Sequence, residues 1–159
     1  MDFLATRPPR VTLVNLDTQE RMECLINPET LTEKLSVIYR RLSVPGVGHQ
    51  MLQYDSTSNR VVPGLELAFD RRIGKPSVSE ADIVAFRDFL RKVAQPAQVD
   101  LPSAPPTVLF VWPKVLSIEC VLSDLEFRYQ AFGAEGELLM YTATCTLEEV
   151  MLPALGGVV

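Results

Sequence analysis

The chain carries a single imidazole, His49. Histidine catalysis needs a nucleophile, an orienting carboxylate or a metal set beside the ring. His49 lies in Ser43-Val44-Pro45-Gly46-Val47-Gly48-His49-Gln50, which holds no Gly-x-Ser-x-Gly elbow, and reads as a polar contact on a loop. The nearest carboxylate pairs are Asp124 with Glu126 and Glu148 with Glu149. Glycoside hydrolysis needs two carboxyl groups roughly 5 to 10 Å apart across a cleft. Asp124 and Glu126 would instead share one strand face as solvated or interface charge, so a hydrolase built on either ranks last among the readings. Gly46 and Gly48 lack the buried strand and helix opening that a phosphate loop requires. Cys24, Cys120 and Cys145 show no Cys-x-x-Cys spacing, and with one histidine beside them no metal centre is expected. Arg40-Arg41 and Arg71-Arg72 are basic pairs without interleaved aromatics, which favours ion pairing at a sheet edge over nucleic-acid contact. No catalytic set and no cofactor site emerges.

Composition points the same way. The 159 residues amount to one domain, with 47% hydrophobic and 22% charged residues. A chain of this length buries roughly 70% of its unfolded surface and needs no disulfide or metal. Fifteen Lys and Arg against twenty Asp and Glu give a formal charge of -5, which argues against binding nucleic acid or an anionic membrane surface. The longest apolar runs, Val108 to Trp112 and Leu138 to Tyr141, are far too short to span a bilayer. Met1 to Arg10 has no secretory h-region, so synthesis in the cytoplasm and reduced, buried thiols are expected.

The elements that must position these residues are mostly strands. Alternation predicts strands over Val11–Leu16, Arg21–Ile26 and Leu35–Arg40, with a turn at Asp17–Glu20 between the first two. Further strands are predicted at Leu65–Asp70, Thr107–Trp112, Val115–Leu122, Leu125–Ala131 and Leu138–Leu147. A hairpin turn is expected at Gly133-Ala134-Glu135-Gly136. One amphipathic helix is predicted from about Glu80 to Gln95, capped by Ser79 and stopped before Pro96, with Ile83, Phe86, Leu90 and Val93 as its apolar stripe and Phe89 at the margin. The segment from Pro96 to Pro106 holds four prolines and reads as a connection. About eight strands and one helix favour a β-barrel or sandwich covered by the helix.

Leu42 to Asn59 stands out as a long Gly- and Ser-rich connection that still carries Val44, Pro45, Val47, Met51, Leu52 and Tyr54. Long structureless loops are uncommon in compact domains and are often functional, and apolar side chains on one need a burial partner. Folding back on its own barrel and reaching a neighbouring molecule are both compatible with the pattern.

From Val11 to Glu149 the chain resembles the tube domain of the LysM-containing baseplate proteins of contractile injection systems, the phage-tail-like particles. The matching pieces are Ile26-Asn27-Pro28, Arg41-Leu42-Ser43-Val44-Pro45-Gly46, His49-Gln50-Met51-Leu52-Gln53-Tyr54, Leu65-Glu66-Leu67-Ala68-Phe69-Asp70, Pro105 to Trp112, and Phe132-Gly133-Ala134-Glu135-Gly136. Relatives often have glycine after the tryptophan, whereas Trp112 here precedes Pro113. The LysM module that often follows in relatives is absent from these 159 residues, so no peptidoglycan-binding role carries over. The resemblance implies a mainly β protein with one helix, an Hcp/tail-tube-like β-barrel forming one domain over residues 1–159. It implies a homo-hexameric ring that initiates the tube, joining the spike protein to the inner-tube protein beside other baseplate proteins, in a particle assembled after cytoplasmic synthesis. Neither nucleic acid nor direct membrane binding is implied. The subunit-interface residues expected on that basis are Val44, Pro45, Gly46, Val47, His49, Leu52 and Tyr54. The alternative is a monomeric β-barrel that binds a small ligand.

Overall fold

A computed structural model describes residues 9–73, 80–96 and 104–150. Its elements in chain order are β1 (Thr12–Asn15), β2 (Arg21–Glu23), β3 (Val37–Leu42), β4 (Met51–Thr57), β5 (Val61–Asp70), α1 (Glu80–Val93), β6 (Val108–Trp112), β7 (Leu116–Phe132) and β8 (Leu138–Glu149). Six strands pair in the order β2-β1-β6-β7-β8-β5, every ladder antiparallel, and β3 with β4 forms a separate two-stranded sheet.

One face of the large sheet is apolar because alternate residues point the same way. Leu13, Val108, Phe110, Ile118, Leu67, Phe69, Tyr141, Ala143 and Cys145 are all buried in one core. Helix α1 supplies the cover. Ile83, Phe89, Leu90 and Val93 are buried, and Phe86 is partly so. Phe69 stacks on Phe86 at 5.1 Å and on Tyr141 at 5.0 Å between ring centres. The Tyr141 hydroxyl, which would be costly to bury unpaired, donates to the Ile83 carbonyl at 2.7 Å. Phe89, placed at the margin of the stripe by spacing alone, is thus more buried than Phe86. The expected Ser79 cap and most of the 96–106 connection lie outside the described residues.

Three expectations are corrected. The described ladders do not close: β2 and β5 are the two edges, so this chain's own strands form an open sheet instead of a closed barrel. Val115–Leu122 and Leu125–Ala131 are one strand, β7. A bulge between Leu122 and Asp124 switches the inward set from the even positions Leu116, Ile118, Cys120 and Leu122 to the odd positions Leu125 and Phe127, which imitates a strand break in sequence. β5 has its own irregularity between Val62 and Leu65, at Pro63-Gly64, where Gly64 has φ +60°. Both irregularities flank β8 at Thr146. Finally, 42–59 is not a loop: its flanks pair as β3 and β4, from Val37 opposite Thr57 to Leu42 opposite Met51.

Two turns match the sequence chemistry. At Asn15–Glu20 the Asn15 Oδ1 accepts from the Asp17 and Thr18 amides at 2.9 and 3.3 Å. At Gly133–Gly136 the Gly136 amide donates to the Gly133 carbonyl at 3.1 Å. The Trp112-Pro113-Lys114-Val115 turn closes with Val115 N–H to Trp112 carbonyl at 3.0 Å, and Lys114 takes φ 66°. A non-glycine residue there costs roughly 1 to 2 kcal/mol, against roughly 0.5 to 1 kcal/mol for glycine's extra chain entropy.

Leu90→Ala is expected to cost about 2 to 5 kcal/mol in denaturant melts and Phe86→Ala less, because Phe86 keeps part of its surface in water. Lys114→Gly is expected to raise stability by about 0.5 to 1 kcal/mol in the same melts, by relieving the left-handed backbone.

Candidate functional site

The hairpin of β3 and β4 is the part of the described chain with no core beneath it. Its exposed apolar side chains include Tyr39 (53%), Met51 (54%), Leu52 (61%) and Tyr54 (58%), with Val37, Ile38, Leu42, Val44 and Val47 also exposed. Register sorts them onto two faces. Val37, Tyr39, Arg41, Leu52, Tyr54 and Thr57 share one; Ile38, Arg40, Leu42, Met51, Gln53 and Asp55 share the other. On the first, Tyr39 and Tyr54 meet edge to face at 5.9 Å, and the Tyr54 and Thr57 hydroxyls lie 2.9 Å apart. On the second, Arg40 pairs with Asp55 at 2.9 Å.

The tip is built by turn chemistry. Val47 N–H donates to the Val44 carbonyl at 3.1 Å, with Pro45 and Gly46 between them and Gly46 at φ +84°. Pro followed by a positive-φ glycine is the type II signature, so this turn forms without help from a core.

The root is held more firmly than the arm. Lys34 and Val61 exchange backbone hydrogen bonds at 2.8 and 3.0 Å, and the Ser58 amide donates to the Ser36 carbonyl at 2.7 Å. Arg60 forks onto Glu149, Nε to Oε2 at 3.0 Å and Nη2 to Oε1 at 2.6 Å, while its backbone N–H donates to Oε2 at 3.1 Å. Asn59 Nδ2 donates to the Glu149 carbonyl at 3.0 Å. The hydrogen bonds from Arg60 hold the Glu149 carboxyl below its ordinary value and raise the guanidinium above its own.

All seven expected interface residues lie on this arm. Val44, Pro45, Gly46 and Val47 form its tip, His49 follows on the exposed return, and Leu52 and Tyr54 lie on β4. Sequence reasoning missed Val37, Ile38 and Tyr39, which it placed in an ordinary alternating strand over 35–40, and left Leu42 unremarked at the start of the 42–59 connection. The available signal was three consecutive apolar residues followed by two arginines, a pattern that gives neither face to a core.

The remaining candidates do not converge. Asp124 and Glu126 are exposed on β7, Glu149 is committed to Arg60, and His49 is at the far end of the arm. Among the described residues no group of three His, Cys, Asp or Glu side chains is placed to hold a metal. Cys24, Cys120 and Cys145 are free and buried, and burial pushes each thiol up to about 12. No helix among the described residues is long and apolar enough to cross a membrane.

The described residues thus form an open sheet under one helix, with a rooted arm projecting from it. The family model for the contractile injection system tube protein matches residues 12–155, and the chain belongs to that family. That is a structural class, not an enzyme class, and it makes the chain a component of an injection particle. No curated protein matches it.

The root makes a pH prediction. A carboxylate with a depressed folded pKa adds stability above its ordinary value, and that stability is lost as pH falls through the lowered one. Arg60→Gln is therefore expected to melt earlier than the parent at neutral pH. The gap should close in acid, once Glu149 is protonated in both; thermal melts from pH 7 down to pH 2 measure it.

Proposed function

We propose that this chain is a tube initiator or adaptor, joining the spike to the inner tube at the baseplate as a homo-hexameric ring of Hcp/tail-tube-like subunits. One domain over residues 1–159 performs this role, and the inner-tube and other baseplate proteins are its remaining neighbours. The observation that carries the reading is the arm: firmly rooted, internally ordered, and apolar on both faces without a partner. Such surface is expected to be covered in an assembly. In a ring each subunit meets the next by one repeated head-to-tail contact, so one arm per subunit is enough.

Val44, Pro45, Gly46, Val47, His49, Leu52 and Tyr54 are the contact residues in this reading. Burying Val44, Val47, Leu52 and Tyr54 contributes on the order of a few kcal/mol per contact, at about 25 cal/mol per Å² before ordering costs. Among the described strands β2 and β5 end the large sheet, and their edges offer further pairing between subunits. A small-ligand carrier is less well supported, because Phe69, Tyr141, Ile83 and Leu90 fill the space between sheet and helix. Among the described residues the grooves bordering α1 are open at the surface and edged by charge, such as Glu20, Asp88 and Lys92.

Replacing residues 38–56 by a short Gly-Asn turn should leave a soluble protein with an unchanged core melt that no longer enters particles. Particles assembled with a labelled parent chain should carry six copies at the spike-proximal end. Normal particles from the shortened chain, or label along the whole tube, would overturn the reading.

A further inference from the structure

The ladder of the arm does not stop where β4 ends. Beyond the Val37–Thr57 pair the Ser58 amide donates to the Ser36 carbonyl at 2.7 Å, and Lys34 then exchanges two backbone hydrogen bonds with Val61. One antiparallel ladder therefore joins the arm to β5, and it is interrupted twice. Between the Ser36–Ser58 and Lys34–Val61 contacts, Leu35 alone faces both Asn59 and Arg60. Between the Ile38–Ser56 and Tyr39–Tyr54 pairs, Asp55 has no residue opposite. Each interruption is a one-residue bulge, and both extra residues lie on the returning strand. A bulge bends the strand that carries it and tightens its twist, so these two decide where the arm points.

Side chains lock both bulges. At the root the Ser36 amide, deprived of a ladder partner, donates to Ser58 Oγ at 2.9 Å. The Arg60 amide donates to Glu149 Oε2, the Glu149 amide donates back to the Arg60 carbonyl at 2.9 Å, and Asn59 Nδ2 donates to the Glu149 carbonyl. The Arg60 guanidinium forks onto the same carboxylate, and its Nη1 lies 3.8 Å from Glu33 Oε1 on the limb that leads into the arm. Arg60 thus ties both limbs of the arm to the end of β8. At the outer bulge the inserted Asp55 accepts from Arg40 Nε at 2.9 Å. Tyr54 and Thr57, three apart, would lie on opposite faces of a regular strand, yet their hydroxyls meet because the bulge turns them to one side.

The two locks differ in shelter. Glu149 keeps only 16% of its side chain exposed, whereas Arg40 keeps 71%. A forked, sheltered arginine–carboxylate pair holds its geometry, while an exposed single contact contributes little.

We infer that the Arg60–Glu149 fork sets the direction of the arm by locking the root bulge, and that without it the arm keeps its own ladder but swings as a unit about residues 58–61. Arg60 is a positioning residue; the contact surface remains that of the arm. The inference rests on the proposed role of the arm only for its consequence in particles: a ring that repeats one head-to-tail contact needs every arm at the same angle.

The test places nitroxide labels at Gln53→Cys on β4 and Glu126→Cys on β7, both exposed positions, in the full-length chain. The native thiols are buried and pushed up to about 12, so they stay unlabelled. Pulsed electron resonance reads the distance distribution between the labels, with labelled chain diluted in excess unlabelled chain so that only distances within one molecule count. Arg60→Gln is expected to widen the distribution at least about twofold, as a hinge freed of its lock does. Arg40→Gln is expected to widen it less, and Leu90→Ala, which costs core stability, to leave it unchanged; that contrast separates positioning from stability. Glu149→Gln opens the lock from the other side and gives the same reading if Arg60→Gln does not fold. An unwidened distribution, or equal widening by Leu90→Ala or Arg40→Gln, overturns the inference. The role of the arm in assembly fails separately, by normal particles from the arm-shortened chain, whatever the labels report.

Discussion

β8 is hydrogen-bonded on both edges through nearly all its length, to β7 on one side and β5 on the other, and the rest of the molecule is hung from that ladder. Its inward side chains Tyr141, Ala143, Cys145 and Leu147 run along the middle of the core. Because both neighbours carry an extra residue opposite Thr146, the ladder bends there without losing its apolar face: each flanking strand changes the parity of its inward set at that level. The bend lets one sheet present Leu116, Ile118 and Cys120 on one side of the irregularity and Leu125 and Phe127 on the other to a single continuous core.

The same ladder fixes the two ends. Glu149, the last residue of β8, is where Arg60 forks on, so the root of the arm is tied to the most heavily paired strand in the chain. Arg60 is in turn three residues past β4, which transmits that position to the hairpin. The root is therefore rigid by ordinary hydrogen bonding, while the arm has only its own ladder, its Pro45-Gly46 turn and the Tyr39–Tyr54 contact. An apolar hairpin without a core beneath it is an aggregation hazard, and Arg40, Arg41 and Asp55 along its strands blunt it. Charge of this kind opposes edge-to-edge pairing while leaving the apolar side chains of the arm exposed.

At the opposite end the helix does two jobs with one face each. Ile83, Phe89, Leu90 and Val93 close the core, while Arg87 and Arg91, a turn apart, lie over Tyr129 and Phe127. Tyr141 joins the two layers by donating to the helix backbone, and desolvation holds its hydroxyl well above the ordinary phenol range. The helix is thereby positioned along its axis as well as pressed against the sheet.

Much of this was legible in the residues. Period-two alternation locates most strands of the large sheet, helical spacing locates α1 and its buried stripe, and Asn15–Glu20, Val44–Val47 and Gly133–Gly136 declare their turns through local hydrogen bonding and glycine. Those features are local, and local chemistry decides them. The bulges at Ser123 and Pro63-Gly64 were not, because each looks like an ending until the partner strand shows that pairing continues past it. The arm was half legible: its tip and β4 stood out as apolar residues without a core, but β3 passed for an ordinary strand, because alternation records which residues share a face and not whether anything covers that face. Closure of the sheet, the clamp of Arg60 on Glu149 across 89 residues and the meeting of Arg87 with Tyr129 are long-range outcomes. Only the tertiary structure decides them, because each depends on how separate elements stack, and no window of sequence contains both partners.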